Sequence, residues 1–381
     1  MKFETDKKDL LNALKELKGL TDKKSLMDIL KNVNISASGS YLTLIATDLT
    51  DYLKLRIDAE IIKCGGITVN CKDLFNSISK LSRKIPSNII TFNLDKTKDE
   101  PTLTFQFKDD NVITSLDTLP IGDYPKVPDV KFDKVVSLPA EILTKAIEKT
   151  EFVTSKDMKF NLSGVLFSFE SDKFEIGATD GHQLAVTSHN QGNECYGDRV
   201  EFIVPVDTLP RLKQSFKTGD IVVAINGVHV QFEQENKVLV TRPIDQKFPN
   251  YHAVIPESTP YFCTLHKQEL IDTIDKMTAT NIKSRNSSMM FTFTNHVIHL
   301  ERSVPDKASS KATLNPMKAN MENDSHCIEM GLNYDFLKKM LPHIEGNKVV
   351  CDLTDKESPI RIKETTKDGI EFIYVIMPLN I

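Results

Sequence analysis

The sequence predicts an α+β protein made of three similar units, each with two helices on one side of antiparallel strands. Three observations carry that expectation. An amphipathic helix pattern recurs at intervals of about 130 residues, a period of domain size rather than of a solenoid. Each recurrence is followed by apolar segments that alternate with period two, and proline-rich connectors separate the units. A chain of 381 residues also exceeds what one ordinary core accommodates.

The first helix of each unit gathers its apolar groups by i, i+1, i+4 spacing. These groups are Leu10, Leu11, Leu14 and Leu17, then Ile142, Leu143, Ala146 and Ile147, then Leu270, Ile271 and Ile274. A short strand-like piece precedes each helix: Lys2-Phe3-Glu4, Val135-Val136-Ser137 and Phe262-Cys263-Thr264. Hairpins follow, with residues 34–37 and 41–44 around Ser38-Gly39-Ser40, 164–169 and 174–176 around Ser171-Asp172, and 290–293 and 297–300 around Asn295-His296. The first two units then share Ala46-Thr47-Asp48 and Ala178-Thr179-Asp180; the third has Glu301-Arg302-Ser303 in that place.

Second helices are expected over 72–84, 207–217 and 333–341, each after a short apolar strand, with further hairpins such as 89–92 with 103–105 and 221–224 with 228–230. Pro120, Pro125 and Pro128 mark one connector, and Pro249, Pro256 and Pro260 the other, because proline fixes φ and removes a hydrogen-bond donor. The expected domains are 1–124, 125–254 and 255–381.

Composition narrows the function classes. Hydrophobic residues at 40% and charged residues at 27% fit a folded, soluble chain. The polar start Met1-Lys2-Phe3-Glu4 lacks the apolar core of a signal peptide, and no apolar run is long enough to span a membrane, so a cytoplasmic location is expected. Six cysteines are scattered without a C-x-x-C pair, which favours free thiols packed as small hydrophobes over a zinc site. No cofactor is expected.

The net charge of −5 at first argues against nucleic acid, since phosphate-neutralising proteins are usually basic. The basic residues are unevenly distributed, however. Lys72, Lys80, Arg83 and Lys84 oppose only Asp73 on one second helix; Arg211, Lys213 and Lys217 oppose Asp207 on the next; Lys338 and Lys339 oppose Asp335 on the third. Taken singly, each is an ordinary solvated helix face, and the helix dipole accounts for a cation in a last turn. Repetition in all three units favours a shared basic surface. Flexible lysines suit loose, sequence-independent phosphate contact rather than base readout.

Catalysis has little support. Thr179-Asp180-Gly181-His182 resembles an acid–base dyad, yet no nucleophile elbow and no phosphate-binding G-x-x-x-x-G-K-[ST] loop accompanies it. Asp109-Asp110-Asn111, between alternating strands, fits a turn.

The chain resembles the beta-subunit family of bacterial DNA polymerase III, the sliding clamps, over essentially its whole length. The resemblance rests on Met1-Lys2-Phe3 with Leu10-Leu11, Ile29-Leu30 with Asn32, Leu44 with Ala46-Thr47-Asp48, and Phe248-Pro249 with Tyr251. Its strongest pieces are 178–185, Ala-Thr-Asp-Gly-His-Gln-Leu-Ala, and 374–379, Tyr-Val-Ile-Met-Pro-Leu. It implies the DNA-clamp fold, with two such chains closing head to tail into a six-domain ring around double-stranded DNA. Helices would line the hole and sheets the outer wall. The implied partners are a second copy of the chain, the polymerase III alpha subunit, the clamp loader and other proteins carrying a clamp-binding motif. The implied role is a non-catalytic processivity factor.

The resemblance also implies site residues. A peptide groove maps to Leu162, Thr179, Gly181, His182, Gln183, Leu184, Pro249, Ala253, Val254, Val375, Met377, Pro378 and Leu379. Gln183 and Ala253 stand where the family often has Arg, and Asn380-Ile381 replaces a common Arg-Leu ending, so the rim is expected to be less cationic. Lys24, Lys283 and Arg285 match basic DNA-side positions, and Phe160 stands in an aromatic pair whose second member is here Asn161. Leu116 is placed at the contact between chains, where Thr278-Ala279-Thr280 is more polar than the usual counterpart. The competing reading is a peptide-binding scaffold of the same fold that never engages DNA; the basic second helices separate the two.

Overall fold

The structure, a computed structural model, describes residues 1–21, 26–81, 87–95, 101–108, 110–128, 134–154, 162–170, 173–190, 199–279, 287–304, 308–323 and 326–379. Lys24, Arg83, Lys84, Phe160, Asn161, Lys283, Arg285, Asn380 and Ile381 lie outside these residues. The chain forms two compact units, Met1–Glu141 with Asp207–Pro243, and Ile142–Val206 with Ile244–Ile381.

Six α-helices occur among the described residues: α1 (Lys7–Thr21), α2 (Cys71–Leu81), α3 (Ala140–Glu148), α4 (Leu209–Ser215), α5 (Lys267–Thr278) and α6 (Tyr334–Met340). The expected apolar faces turn inward. Leu10, Leu14 and Leu17 on α1, Leu143, Ala146 and Ile147 on α3, and Leu270 and Ile274 on α5 are buried, whereas Leu11, Ile142 and Ile271 are half-buried at the edge of the stripe. Burying each large aliphatic side chain is worth about 1.5–3 kcal/mol.

Helices α4 and α6 are shorter than the residue pattern suggests, and residues 82–84 of the first unit's second helix lie outside the described residues. Helix α4 stops at Ser215 because Phe216 turns extended (φ −119°, ψ 102°) and buries its ring. Lys217 therefore lies beyond the helix rather than in its last turn. Helix α6 begins where the Asn333 side chain accepts the backbone N–H of Asp335 at 2.9 Å, an ordinary N-cap.

In the first unit a twelve-stranded sheet carries the strands of residues 2–119 together with Lys134–Pro139 and Asp220–Thr241. Its alternation is clean: Tyr41–Thr47 buries Leu42, Leu44 and Ala46 while Thr43 and Ile45 are half-buried. Phe3 stacks on Phe92 at 4.8 Å between ring centres, and Phe92 meets Phe105 at 5.4 Å. Strand Asp51–Lys63 pairs with Lys237–Thr241, Asp51 opposite Thr241.

In the second unit a nine-stranded sheet runs from Val200–Pro205 through Gly164–Glu170, Lys173–Thr179, Gln183–Asn190 and Glu371–Ile376 onward, and a four-stranded sheet holds Ser288–Val304 with Ala308–Leu314 and Ile328–Asn333. Strand Gln183–Asn190 lies beside Glu371–Ile376, with Gln183 opposite Ile376 and Leu184 opposite Val375. That pairing brings the two strongest sequence motifs together across nearly half the chain.

Candidate functional site

The site is built on the turn at Thr179–Gln183. The Thr179 hydroxyl donates to the Gln183 carbonyl at 2.6 Å and accepts the Gly181 N–H at 3.1 Å. Asp180 Oδ1 accepts the N–H groups of His182 (2.9 Å) and Gln183 (3.0 Å). Threonine and aspartate are suited to this work because their short oxygens reach backbone donors two or three residues on. Gly181 sits at φ +88°, where a side chain is disfavoured. Asp180 thus holds backbone, and the His182 ring, which is exposed, is not oriented by it.

Beneath the turn lies an apolar floor. Leu166, Leu184, Val186, Ile203, Phe248, Tyr251 and Val375 form one buried cluster, with Ile244, Ile255 and Ile373 packed against it. Gly164 is required here: a Cβ on it would fall 2.5 Å from Ile203 Cγ2 and 2.7 Å from the Val204 carbonyl oxygen. Tyr251 buries its ring and donates its hydroxyl to Glu175 at 3.0 Å; burial and the neighbouring carboxylate push that phenol well above its usual pKa.

The terminal segment closes one side. The Met377 N–H donates to the His182 carbonyl at 3.0 Å, and Leu379 N–H to Gly331 at 2.8 Å. These bonds fix Met377 against the turn and Leu379 against strand Ile328–Asn333. Met377 and Val254 remain exposed at 38% and 42%, beside exposed Pro249 and Ala253. Leu162 is half-buried in the turn two residues before strand Gly164–Glu170, which carries Leu166. A floor of buried aliphatics and aromatics with an exposed methionine and valine above it suits an apolar peptide side chain.

One expectation about the rim changes. Gln183 is 4% exposed, its amide N–H donating to Asp180 Oδ2 at 2.7 Å and its carbonyl accepting the Tyr374 hydroxyl. Its side chain is thus engaged inside the fold, bonded to Asp180 and Tyr374. Sequence reasoning also missed Gly164, Tyr251 and Glu175. Phe248-Pro249-x-Tyr251 was a signal for the tyrosine, but nothing local marks Glu175 as its partner.

The basic residues differ in their exposure. Lys72 and Lys80 on α2 and Lys339 on α6 are exposed, as is Lys217 after α4; Lys213 is half-buried. Lys338 pairs with Asp275 of α5 at 2.6 Å, both ends substantially exposed, a contact worth little in water. Arg211 departs from the expectation altogether. Its side chain is 11% exposed, and its guanidinium pairs with Asp51 and, at 3.1 Å, with Asp48. It is spoken for inside the first unit. Leu116 is half-buried on strand Ile113–Leu119, opposite Leu103, and Ile113 on the same strand is 64% exposed.

Among the described residues, no helix is long and apolar enough to cross a membrane. Three family models match the chain in order: the N-terminal domain of the DNA polymerase III beta subunit over residues 1–128, its central domain over 137–250 and its C-terminal domain over 252–380. The beta sliding clamp of Rickettsia felis is 23% identical and that of Vibrio cholerae 24% identical, each alignment spanning the whole of both chains. The crystal structure of the DNA polymerase III beta subunit of Pseudomonas aeruginosa superposes with a TM-score of 0.89 at 22% identity, covering all of both chains.

Proposed function

The chain belongs to the DNA polymerase III beta-subunit family, and on that premise we propose that it is a sliding clamp. As a ring of two copies it encircles duplex DNA, and through the groove at Thr179–Leu184 and Val375–Leu379 it tethers the polymerase and other proteins that bear a short binding motif. It performs no chemistry of its own; a separate loader would supply the work of opening the ring. The observation that carries the reading is the match of three successive beta-subunit domains to the whole chain, with the two strongest motifs paired strand to strand.

Domains 1–124, 125–254 and 255–381 are the proposed repeats. Lys72, Lys80, Lys217 and Lys339 are the proposed phosphate-side cations, since they are exposed and recur in all three units. Lys24, Arg83, Lys84, Lys213, Lys283, Arg285 and Lys338 extend that set by sequence, with the uncharged Phe160 on the same DNA-facing side. Leu116 is proposed at the contact between copies, and the cytoplasm as the location.

Holding DNA by topology explains the acidic chain. A strong phosphate grip would impede sliding, and net negative charge discourages adventitious binding elsewhere. The groove, with Ala253 exposed and Gln183 turned inward, offers no cation from either position, so its peptides are held by apolar anchors. Two measurements test the function. The loaded protein should remain on closed circular DNA and run off after linearisation; equal loss from both would sink the ring reading. Acidic and neutral versions of one clamp-binding peptide should bind within a few-fold of each other, and a large preference for the acidic one would overturn the apolar-anchor reading.

A further inference from the structure

The turn at Thr179–Gln183 has a counterpart at Thr47–Asp51. The Thr47 hydroxyl donates to the Asp51 carbonyl at 2.8 Å and accepts the Leu49 N–H at 2.9 Å, while Asp48 Oδ1 accepts the N–H groups of Thr50 (3.0 Å) and Asp51 (2.9 Å). Leu49, at φ +76°, takes the place of Gly181. The correspondence continues along the chain. Arg242 N–H donates to the Thr50 carbonyl at 3.2 Å as Met377 N–H does to His182, so Arg242-Pro243 stands where Met377-Pro378 lines the groove.

The fifth residue of the turn breaks the likeness. Asp51, fully buried, accepts the Thr208 hydroxyl at 3.0 Å, the Thr241 hydroxyl and the Arg211 guanidinium. Burial raises its carboxyl above the ordinary range, against the pull of Thr241, Arg211 and Thr208. The position equivalent to Arg211 is Lys339, eight residues after Gly331 as Arg211 is eight after Ile203; both of those residues bridge to a segment later in the chain, Ile203 to Ile244 and Gly331 to Leu379. Lys339 is exposed. Arg211 is turned in.

We infer that Arg211 is a positioning residue that clasps α4 to the Thr47–Asp51 turn and closes this copy of the groove, and that it is not one of the DNA-side cations. The inference rests on the clamp reading only in its second half. A guanidinium suits the role because its planar fork bonds two carboxylates at once, one on each of Asp48 and Asp51. Nearly all of it is removed from water, so its charge is spent on those carboxylates rather than on a phosphate.

The experiment uses the full chain and four variants: Arg211→Gln, Asp51→Asn, the two combined, and Lys72→Gln with Lys80→Gln. Hydrogen exchange of the amides in 48–55 and 237–242 reads the clasp; the salt dependence of retention on closed circular DNA reads phosphate contact. Arg211→Gln should speed local exchange by at least about tenfold, with the combined variant slower than Arg211→Gln because the fully buried Asp51 charge is removed and only Asp48 has lost its cation. Its salt slope should equal that of the unmodified chain, whereas the lysine variant should flatten the slope and leave exchange unchanged. Unchanged exchange in Arg211→Gln, or a slope flattened as much as by the lysine variant, would overturn the inference. Should Arg211→Gln fail to fold, the combined variant carries both measurements. If no variant nor the unmodified chain is retained on circular DNA, the clamp reading fails while the exchange result still decides the clasp.

Discussion

The turns at Thr47–Asp51 and Thr179–Gln183 are made by the same four hydrogen bonds, yet one sits beside a buried ion cluster and the other beside an apolar slot. Their shared part is local: a threonine and an aspartate capping the chain reversal. Their difference lies in what distant strands deliver to the fifth residue. At Asp51 it is Thr208, Arg211 and Thr241; at Gln183 it is the Tyr374 hydroxyl. A repeated backbone device has thus been put to two uses by residues far away in sequence.

The largest expected effect is the removal of the buried carboxylate. Asp51→Ala leaves Arg211 in a dry site with only Asp48, and should lower unfolding free energy by about 3 kcal/mol in urea denaturation. A loss below about 1 kcal/mol would mean that the two turns are held alike. Next is Met377→Arg, which gives the groove the cation found at Arg242 in its counterpart. It should weaken a fluorescently labelled clamp-binding peptide on the order of 10- to 100-fold by anisotropy, as loss of a hot-spot contact does. A change under about threefold would place Met377 outside the peptide contact.

Gln183→Ala tests the weaker strut. It leaves the buried Tyr374 hydroxyl only its long 3.4 Å bond to the Phe336 carbonyl and should cost about 1–2 kcal/mol, less than Asp51→Ala in the same denaturation series. The reverse ranking would break the proposed contrast between charge and amide. The smallest effect belongs to the third position of each turn. Leu49→Gly should stabilise by about 0.5–1 kcal/mol, because a left-handed backbone strains any residue with a Cβ, and Gly181→Ala should destabilise by a similar amount. Opposite signs in thermal melts are the outcome to look for.

Much of this is legible in the amino-acid sequence. The apolar stripes of α1, α3 and α5, the hairpin at Ser38-Gly39-Ser40 and the shared Ala-Thr-Asp all follow from spacing of four residues or fewer, over which helix and strand geometry fix what faces what. The apolar quality of Val375, Met377 and Leu379 was equally plain. Helix ends were less so: nothing in the charge pattern announces that Phe216 would turn inward and leave Lys217 outside α4.

What the sequence by itself determined was therefore the kind of unit, its threefold recurrence, and the two motifs whose strands meet at Leu184 and Val375. Only the tertiary structure decided which polar groups are spent internally. Arg211 and Lys339 look alike as basic residues of a second helix, but one lies within reach of two carboxylates 160 and 163 residues away and the other faces water. Gln183 reads as a rim residue, yet Tyr374, 191 residues on, donates its hydroxyl to it inside the fold. Short-range periodicity reports which face is buried; it carries no information about which distant partner the fold will bring there, and that partner sets whether a charge is free to bind.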